Sequence, residues 1–140
     1  MTSGTEPRRT KILLVEDNPG DVELLQRALE GAHLDFDMAV IDDGEEALAR
    51  VYRQGKHANS NRPDLAILDL NLPKVEGRQI LAAMRASEEF ASVPIVVLTS
   101  SSSSRERAQI EDFGITRHIT KPHDLDEFMK IGFELKELLK

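Results

Sequence analysis

Runs of consecutive apolar residues mark three positions along the chain. Ile12–Val15 and Leu65–Leu68 are apolar at every position, and the segment VPIVVLTS at 93–100 is nearly so. A uniformly apolar strand is typical of the centre of a sheet, where both faces are covered. We therefore predict the first, third and fourth strands of the chain at these positions, all three central.

Two further segments are more mixed and have the character of edge strands. The segment LDFDMAVID at 34–42 alternates, with Leu34, Phe36, Met38 and Val40 on one side. Ile115–Thr120 is also partly polar. Period-two alternation indicates a half-buried strand, so we place the second and fifth strands at the two edges of the sheet.

Apolar residues recur at helical spacing after each of the five strands. Asn18 and Pro19 suit the start of the first of these helices, Asp43 suits the second, and Asp124 suits the last. Gly31, Gly55 and Gly114 suit helix exits. Strict alternation of strands and helices predicts an α/β fold, a (βα)5 doubly wound parallel sheet, and strand order 2-1-3-4-5 satisfies the central and edge assignments with right-handed crossovers.

Charge and composition exclude several classes of partner. The 25 acidic residues outnumber the 18 Lys and Arg, for a net charge of −7, and nucleic acids favour a basic surface. Without cysteine, the chain has neither disulfides nor thiolate sites. No apolar run reaches membrane-spanning length, and MTSGTEPRRT lacks the apolar core of a signal peptide. We expect a disordered tail over residues 1–10, one domain over 11–140, and a cytoplasmic location without nucleic-acid or membrane partners.

Carboxylates follow two of the predicted central strands. Glu16 and Asp17 follow the first strand, and Asp69 follows the third. In a sheet of order 2-1-3-4-5 these two strands are neighbours, and ligands bind beyond the carboxyl ends at this switch point. Three carboxylates in one cleft would repel each other without a cation, and Mg²⁺ suits a shallow site of oxygen ligands. The sequence therefore predicts a magnesium site of Glu16, Asp17 and Asp69.

The ends of the fourth and fifth strands add a hydroxyl and a cation, Thr99 and Lys121. A hydroxyl, an ammonium and a metal beside a carboxylate form a receptor for a transferred phosphoryl group. Asp69 is then the nucleophile that forms an acyl phosphate. Taken singly, each of these residues also has an ordinary explanation as a turn acid, a helix cap or the exit of a strand. Because all five residues lie at the same end of successive strands, the sequence favours the phosphoryl site.

Four short motifs give the chain a resemblance to a known family. The pieces VEDN, ILDLNLP, VVLTS and ITKP resemble the receiver domain of two-component response regulators, a flavodoxin-like fold, from Lys11 to the C-terminus. The resemblance implies an acidic pair, a phosphoaspartate, a switch threonine and a phosphate-binding lysine, which correspond to Glu16 and Asp17, Asp69, Thr99 and Lys121. It also implies that Asn71 offers its backbone carbonyl to the Mg²⁺ ion.

The resemblance implies partners as well. A histidine kinase or a phosphotransfer protein would donate the phosphoryl group. The phrases VEDNPGD and NRPDLAILDLNLPKVEGR resemble the small stand-alone receivers that serve phytochrome-like histidine kinases, so a bacteriophytochrome is a candidate donor. Such a chain has no effector domain, signals through protein contacts, and is not an enzyme beyond slow hydrolysis of its own acyl phosphate.

Two positions near the last strand bear on signalling. His118 stands where receivers usually carry Tyr or Phe as the rotamer that reports phosphorylation, so it is either a switch together with Thr99 or an edge-strand residue without that role. Receivers commonly hold the bond before the following proline in the cis form, and we expect the same of Lys121–Pro122.

The last helix carries more apolar surface than one core-facing stripe requires. Phe133 falls off the side formed by Leu125, Phe128 and Leu135. We expect a homodimer through the fourth helix, fifth strand and fifth helix. The alternatives are one exposed aromatic residue, or a surface that docks only the kinase.

Three rival functions fit the sequence less well. An aspartyl-phosphate phosphatase would carry its nucleophile after the first strand and a second Asp two residues later, whereas Asn71 stands two residues after Asp69 here. A flavodoxin-like cofactor carrier needs an anion-binding loop after the first strand, where EDNPGD is acidic. A phosphorylation-independent pseudo-receiver or adaptor would not need the full set of site residues.

Overall fold

Five strands and five helices alternate along the chain in this computed structural model, which describes residues 9–100 and 103–140. Residues 1–8 of the expected tail lie outside the described residues, and the first strand begins within that tail at Thr10, whose backbone N–H donates to the carbonyl of Asp35 at 3.1 Å. The elements are β1 (Thr10–Val15), α1 (Pro19–Gly31), β2 (Phe36–Ile41), α2 (Gly44–Val51), β3 (Leu65–Leu68), α3 (Gly77–Ala86), β4 (Ile95–Thr99), α4 (Ser104–Ile110), β5 (Arg117–Thr120) and α5 (Leu125–Leu138).

The sheet confirms the predicted topology. Its order is β2-β1-β3-β4-β5, and every neighbouring pair is parallel. The three strands predicted to be central are β1, β3 and β4, and β3 and β4 are buried at every position. The chain therefore has the flavodoxin-like (βα)5 fold expected from its apolar runs.

Helices cover both faces of the sheet. Core residues of α1 and α5 pack on one face, and core residues of α2, α3 and α4 pack on the other. The α1 and α5 helices approach each other very closely at Gly132, where an added Cβ would lie 1.9 Å from the carbonyl oxygen of Ala28. Lys136 of α5 also donates to the carbonyl of Ala32, just past the end of α1, at 2.9 Å. This close contact fixes α1 against α5 on one face of the sheet.

The predicted helix starts are confirmed, whereas some ends differ. Asn18 accepts from the backbone N–H of Gly20 at 2.9 Å, and Asp43 and Asp124 cap α2 and α5 in the same way. The α2 helix ends at Val51 rather than near Gly55, because the chain already takes a left-handed turn at Arg53, with φ of 56°.

The segment between α4 and β5 also departs from the expected boundaries. A 3₁₀ turn over Glu111–Phe113 extends α4 to the predicted exit at Gly114, where φ is 67°. The β5 strand then begins at Arg117, two residues after the expected start at Ile115. Within the described ranges, none of the helices is long and apolar enough to span a bilayer.

Candidate functional site

The carboxyl ends of β1 and β3 lie side by side and bring three acidic residues together. Val15 pairs with Leu68, so the next residues of the two strands, Glu16 and Asp69, are neighbours. Both are nearly fully buried, with 2% and 5% of their surface exposed, whereas Asp17 is exposed. One carboxylate oxygen from each of the three lies within 4.8 Å of the others. The structure thus places the predicted acidic cluster in one cleft.

Lys121 reaches into this cleft from the end of β5. Its Nζ lies 2.7 Å from Glu16 Oε1, 3.0 Å from Asp69 Oδ2 and 2.8 Å from Asp21 Oδ2. Its backbone N–H donates to the carbonyl of Thr99 at 2.7 Å, which fixes the root of the side chain beside β4. The sequence interpretation placed Lys121 at the site but missed Asp21, because that residue belongs to a helix rather than to a strand end.

Burial and the neighbouring charges shift the pKa of two of these groups. Burial raises the pKa of the Glu16 carboxyl from 4.5 to about 7, with Asp69 acting in the same direction and Lys121 against it. Burial alone would lower the pKa of Lys121, but its hydrogen bonds to Asp21, Glu16 and Asp69 outweigh that effect and raise it. The lysine therefore stays charged, while one of its partners holds its negative charge only at neutral pH and above.

Asn71 connects Asp69 to Thr99. Its backbone N–H donates to Asp69 Oδ1 at 2.9 Å, and its side-chain amide donates to the hydroxyl of Thr99, also at 2.9 Å. Thr99 is completely buried in this arrangement. The sequence resemblance assigned Asn71 only through its carbonyl, so the amide contact with Thr99 is an addition from the structure.

His118 lies on the same face of the sheet as Thr99. It pairs with Val97, two residues before Thr99, and strand residues two apart share a face. Both ring nitrogens are buried, and neither has a hydrogen-bond partner among the described residues. Burial, and then the charge of Arg107, lowers the pKa of the imidazole, which is therefore neutral at physiological pH.

The expectation of a cis Lys121–Pro122 bond was wrong. This bond is trans, as are the other peptide bonds of the described residues. The trans chain already brings the Nζ of Lys121 to 3.0 Å from Asp69, so the contact with the carboxylate forms without the cis isomer.

The donor set of the cleft fits a hard divalent cation. Its three carboxylates are close enough to share one ion, and one of them, Asp17, is exposed and leaves the site open to water. Oxygen ligands with open water positions are what Mg²⁺ prefers. Glu16, Asp17 and Asp69 are therefore able to hold such an ion.

Comparison with known proteins agrees with the fold and the cleft. Residues 12–131 match the model of the response regulator receiver domain. The chain belongs to this family, whose members are signalling proteins.

The proteins similar to this chain include response regulators, one of which is described as a phytochrome response regulator. The response regulator Rcp1 of Synechocystis is 36% identical over 94% of this chain and 88% of its own length. The structure of the phosphorylated cyanobacterial phytochrome response regulator RcpA covers 94% of each chain with a TM-score of 0.87 and 36% identity. The Mn²⁺-bound form of Rcp1 covers 91% of this chain and 92% of its own, with a TM-score of 0.83 and 34% identity.

These similarities establish phosphorelay signalling as the function of the chain, and a histidine kinase as the class of its partner. They favour neither a phosphatase nor a pseudo-receiver. The roles of the individual cleft residues, and the particular kinase, go beyond the family assignment.

Proposed function

We propose that the chain accepts a phosphoryl group from a histidine kinase, or from a phosphotransfer protein, onto Asp69. The observation that carries this proposal is the meeting of Lys121 Nζ with Asp69 Oδ2, at 3.0 Å, inside a group of three carboxylates. An ammonium beside a buried carboxylate balances the negative charge of the acceptor. After the transfer, the same ammonium pairs with the oxygens of the phosphoryl group. No other aspartate of the described residues combines an acidic cluster with a lysine in this way.

Glu16, Asp17 and Asp69, together with the backbone carbonyl of Asn71, hold the Mg²⁺ ion in this proposal. The similar Rcp1 has been solved with Mn²⁺ bound, which supports a divalent ion in a cleft of this kind. When bound, the ion neutralises the negative charge of the phosphoryl group. Before the ion binds, Glu16 gains its negative charge only as the pH rises through its raised pKa of about 7.

The transfer itself is an in-line substitution at phosphorus. A carboxylate oxygen of Asp69 attacks, an O–P bond forms, the N–P bond of the phosphohistidine breaks, and the imidazole leaves with the bonding electron pair. Asp69 Oδ1 accepts from the backbone of Asn71, and Oδ2 accepts from Lys121. An ionised carboxylate accepts about four hydrogen bonds, so an oxygen lone pair remains for the attack.

Thr99 and His118 form the proposed switch. The Thr99 hydroxyl, which accepts from Asn71 at 2.9 Å, exchanges this contact for a phosphoryl oxygen. His118 lies on the same face of the sheet, with both ring nitrogens unpaired among the described residues, and it moves into the space that Thr99 leaves. The neutral imidazole then takes the place that an aromatic ring occupies in other receivers.

We place the phosphodonor among phytochrome-linked histidine kinases in the cytoplasm. RcpA is described as a cyanobacterial phytochrome response regulator, and it covers 94% of this chain. With Asp69 as a stoichiometric acceptor, the chain is a signalling protein that turns over only by slow hydrolysis of its own acyl phosphate.

We also propose a homodimer through α4, β5 and α5. Leu125 and Phe133 of α5 are 59% and 55% exposed, so the excess apolar surface of this helix does face outward. A symmetric dimer would cover both residues on each copy. Sedimentation at micromolar concentration tests it: a monomer with and without beryllofluoride, or a dimer indifferent to Phe133→Glu, contradicts this interface.

Mass measurement after treatment with acetyl phosphate and Mg²⁺ tests the proposed function. We expect the wild type to gain one phosphoryl group, and the gain to disappear in Asp69→Asn. Asp42→Asn is the matched control, because Asp42 is an exposed acid that follows the strand β2. Labelling of Asp69→Asn at the wild-type level would refute the assignment.

A further inference from the structure

Asp21 is the one partner of Lys121 that lies outside the acidic cluster. The Nζ of Lys121 has three carboxylate partners among the described residues, at 2.7 to 3.0 Å. Glu16 and Asp69 are members of the group that suits a cation, whereas Asp21 is not. A bound cation and Lys121 therefore draw on the same two carboxylates.

We propose that Asp21 is a positioning residue that keeps Lys121 beside Asp69 while Glu16 and Asp69 turn their oxygens to the cation. This inference rests on the proposed function. The side chain of Lys121 is only 9% exposed, and a buried ammonium without an anionic partner is strongly disfavoured. Asp21 is the described carboxylate that remains for it, at 2.8 Å from Nζ.

The place of Asp21 in the fold suits this role. It lies in the first turn of α1, after the cap Asn18, and α1 is fixed against α5 by the close approach at Gly132. The ordinary role of such an acid is to stabilise the positive end of the helix dipole. That role does not depend on Lys121, and this difference separates the two interpretations.

A double-mutant cycle read by Mg²⁺ binding tests the inference. Calorimetric titration with Mg²⁺ is compared for wild type, Asp21→Asn, Lys121→Met and the double variant. Without Asp21, Lys121 depends wholly on Glu16 and Asp69, and the cation must displace it. We expect Asp21→Asn to weaken Mg²⁺ binding by roughly tenfold in the wild type but by only about twofold in Lys121→Met, since only the loss of a nearby negative charge remains there.

Glu23→Gln is the matched control. It removes the same charge from the same helix, at an exposed position paired with Arg27 at 2.9 Å. We expect it to change Mg²⁺ affinity by less than about twofold. Thermal unfolding in EDTA checks that each variant folds.

Three outcomes overturn the inference, and they are distinguishable. Equal losses from Asp21→Asn in the presence and absence of Lys121, or a loss no larger than that of Glu23→Gln, refute the role of Asp21 alone. A wild type that binds no Mg²⁺ and is not labelled by acetyl phosphate refutes the proposed function, and this inference with it.

Discussion

Replacement of Glu16 by glutamine measures how much the buried carboxylates destabilise the folded protein. Glu16 is 2% exposed and shares its cleft with Asp69 and Lys121. Burial raises the pKa of its carboxyl from 4.5 to about 7, even though Lys121 lies 2.7 Å away and favours the ionised form. The folded protein therefore holds a proton on Glu16 at pH values where the unfolded chain has released it.

This difference sets the direction and size of the effect on stability. A carboxyl whose pKa is higher in the folded state contributes stability that is complete below about pH 4.5 and lost as the pH rises through 7. The shift from 4.5 to about 7 corresponds to about 3 kcal/mol in the free energy of unfolding. Lys121 adds no slope in this window, because its raised pKa affects stability only above its ordinary value of 10.5.

Glutamine at position 16 removes the group that titrates. In EDTA, we expect the free energy of unfolding of Glu16→Gln, relative to wild type, to increase by about 3 kcal/mol between about pH 4 and pH 8. Urea unfolding followed by far-UV circular dichroism measures it, with Glu45→Gln, an exposed acid of α2, as the control. Saturating Mg²⁺ should make the wild type more stable than Glu16→Gln at pH 8, because the ion stabilises the wild type by binding to it. Parallel pH curves for Glu16→Gln and wild type in EDTA would refute this account of the cleft.

Three further substitutions test the site and the packing. Asp17→Asn should weaken Mg²⁺ binding in calorimetry and raise the melting temperature in EDTA, since it removes one of three clustered charges; unchanged titration would place the metal elsewhere. Gly132→Ala should destabilise by about 1–3 kcal/mol in urea because its Cβ meets α1 at 1.9 Å, whereas Gly31→Ala, which meets nothing within 4 Å, should not. Arg85→Met should lower the free energy of unfolding by about 2–4 kcal/mol, because the guanidinium donates to the carbonyl of Phe90, before β4, and to those of Phe113 and Gly114, before β5. Arg78→Met, at an exposed position, should change it little.

The fold was predictable because apolarity alone sorts the strands. Strands buried on both faces must be apolar throughout, and this criterion is enough to assign β1, β3 and β4 to the centre of the sheet. Element ends were harder to predict. The exit of α2 is made by a left-handed Arg53, which no propensity rule favours, since non-glycine residues rarely take a φ of 56°.

The strand-derived residues of the site were predictable for the same reason. Glu16, Asp69 and Lys121 each follow a strand, and parallel strands place their carboxyl ends at one edge of the sheet. Asp21 follows no strand and lies 100 residues from Lys121 in the sequence, so only the packing of α1 brings them together. Asp21 also has an ordinary explanation as a first-turn acid, which conceals the contact from sequence reasoning.

Hydrogen bonds beyond the strand ends connect Asp69, after the central strand β3, to the edge strand β5. Asn71, after β3, donates to both Asp69 and Thr99, and the carbonyl of Thr99 accepts from the backbone of Lys121, after β5. In the proposed function, a phosphoryl group on Asp69 would compete for the Thr99 hydroxyl and the Lys121 ammonium, which are two points along this chain of contacts. Phosphorylation of Asp69, as proposed, would therefore reach the edge strand β5 through Asn71, Thr99 and Lys121.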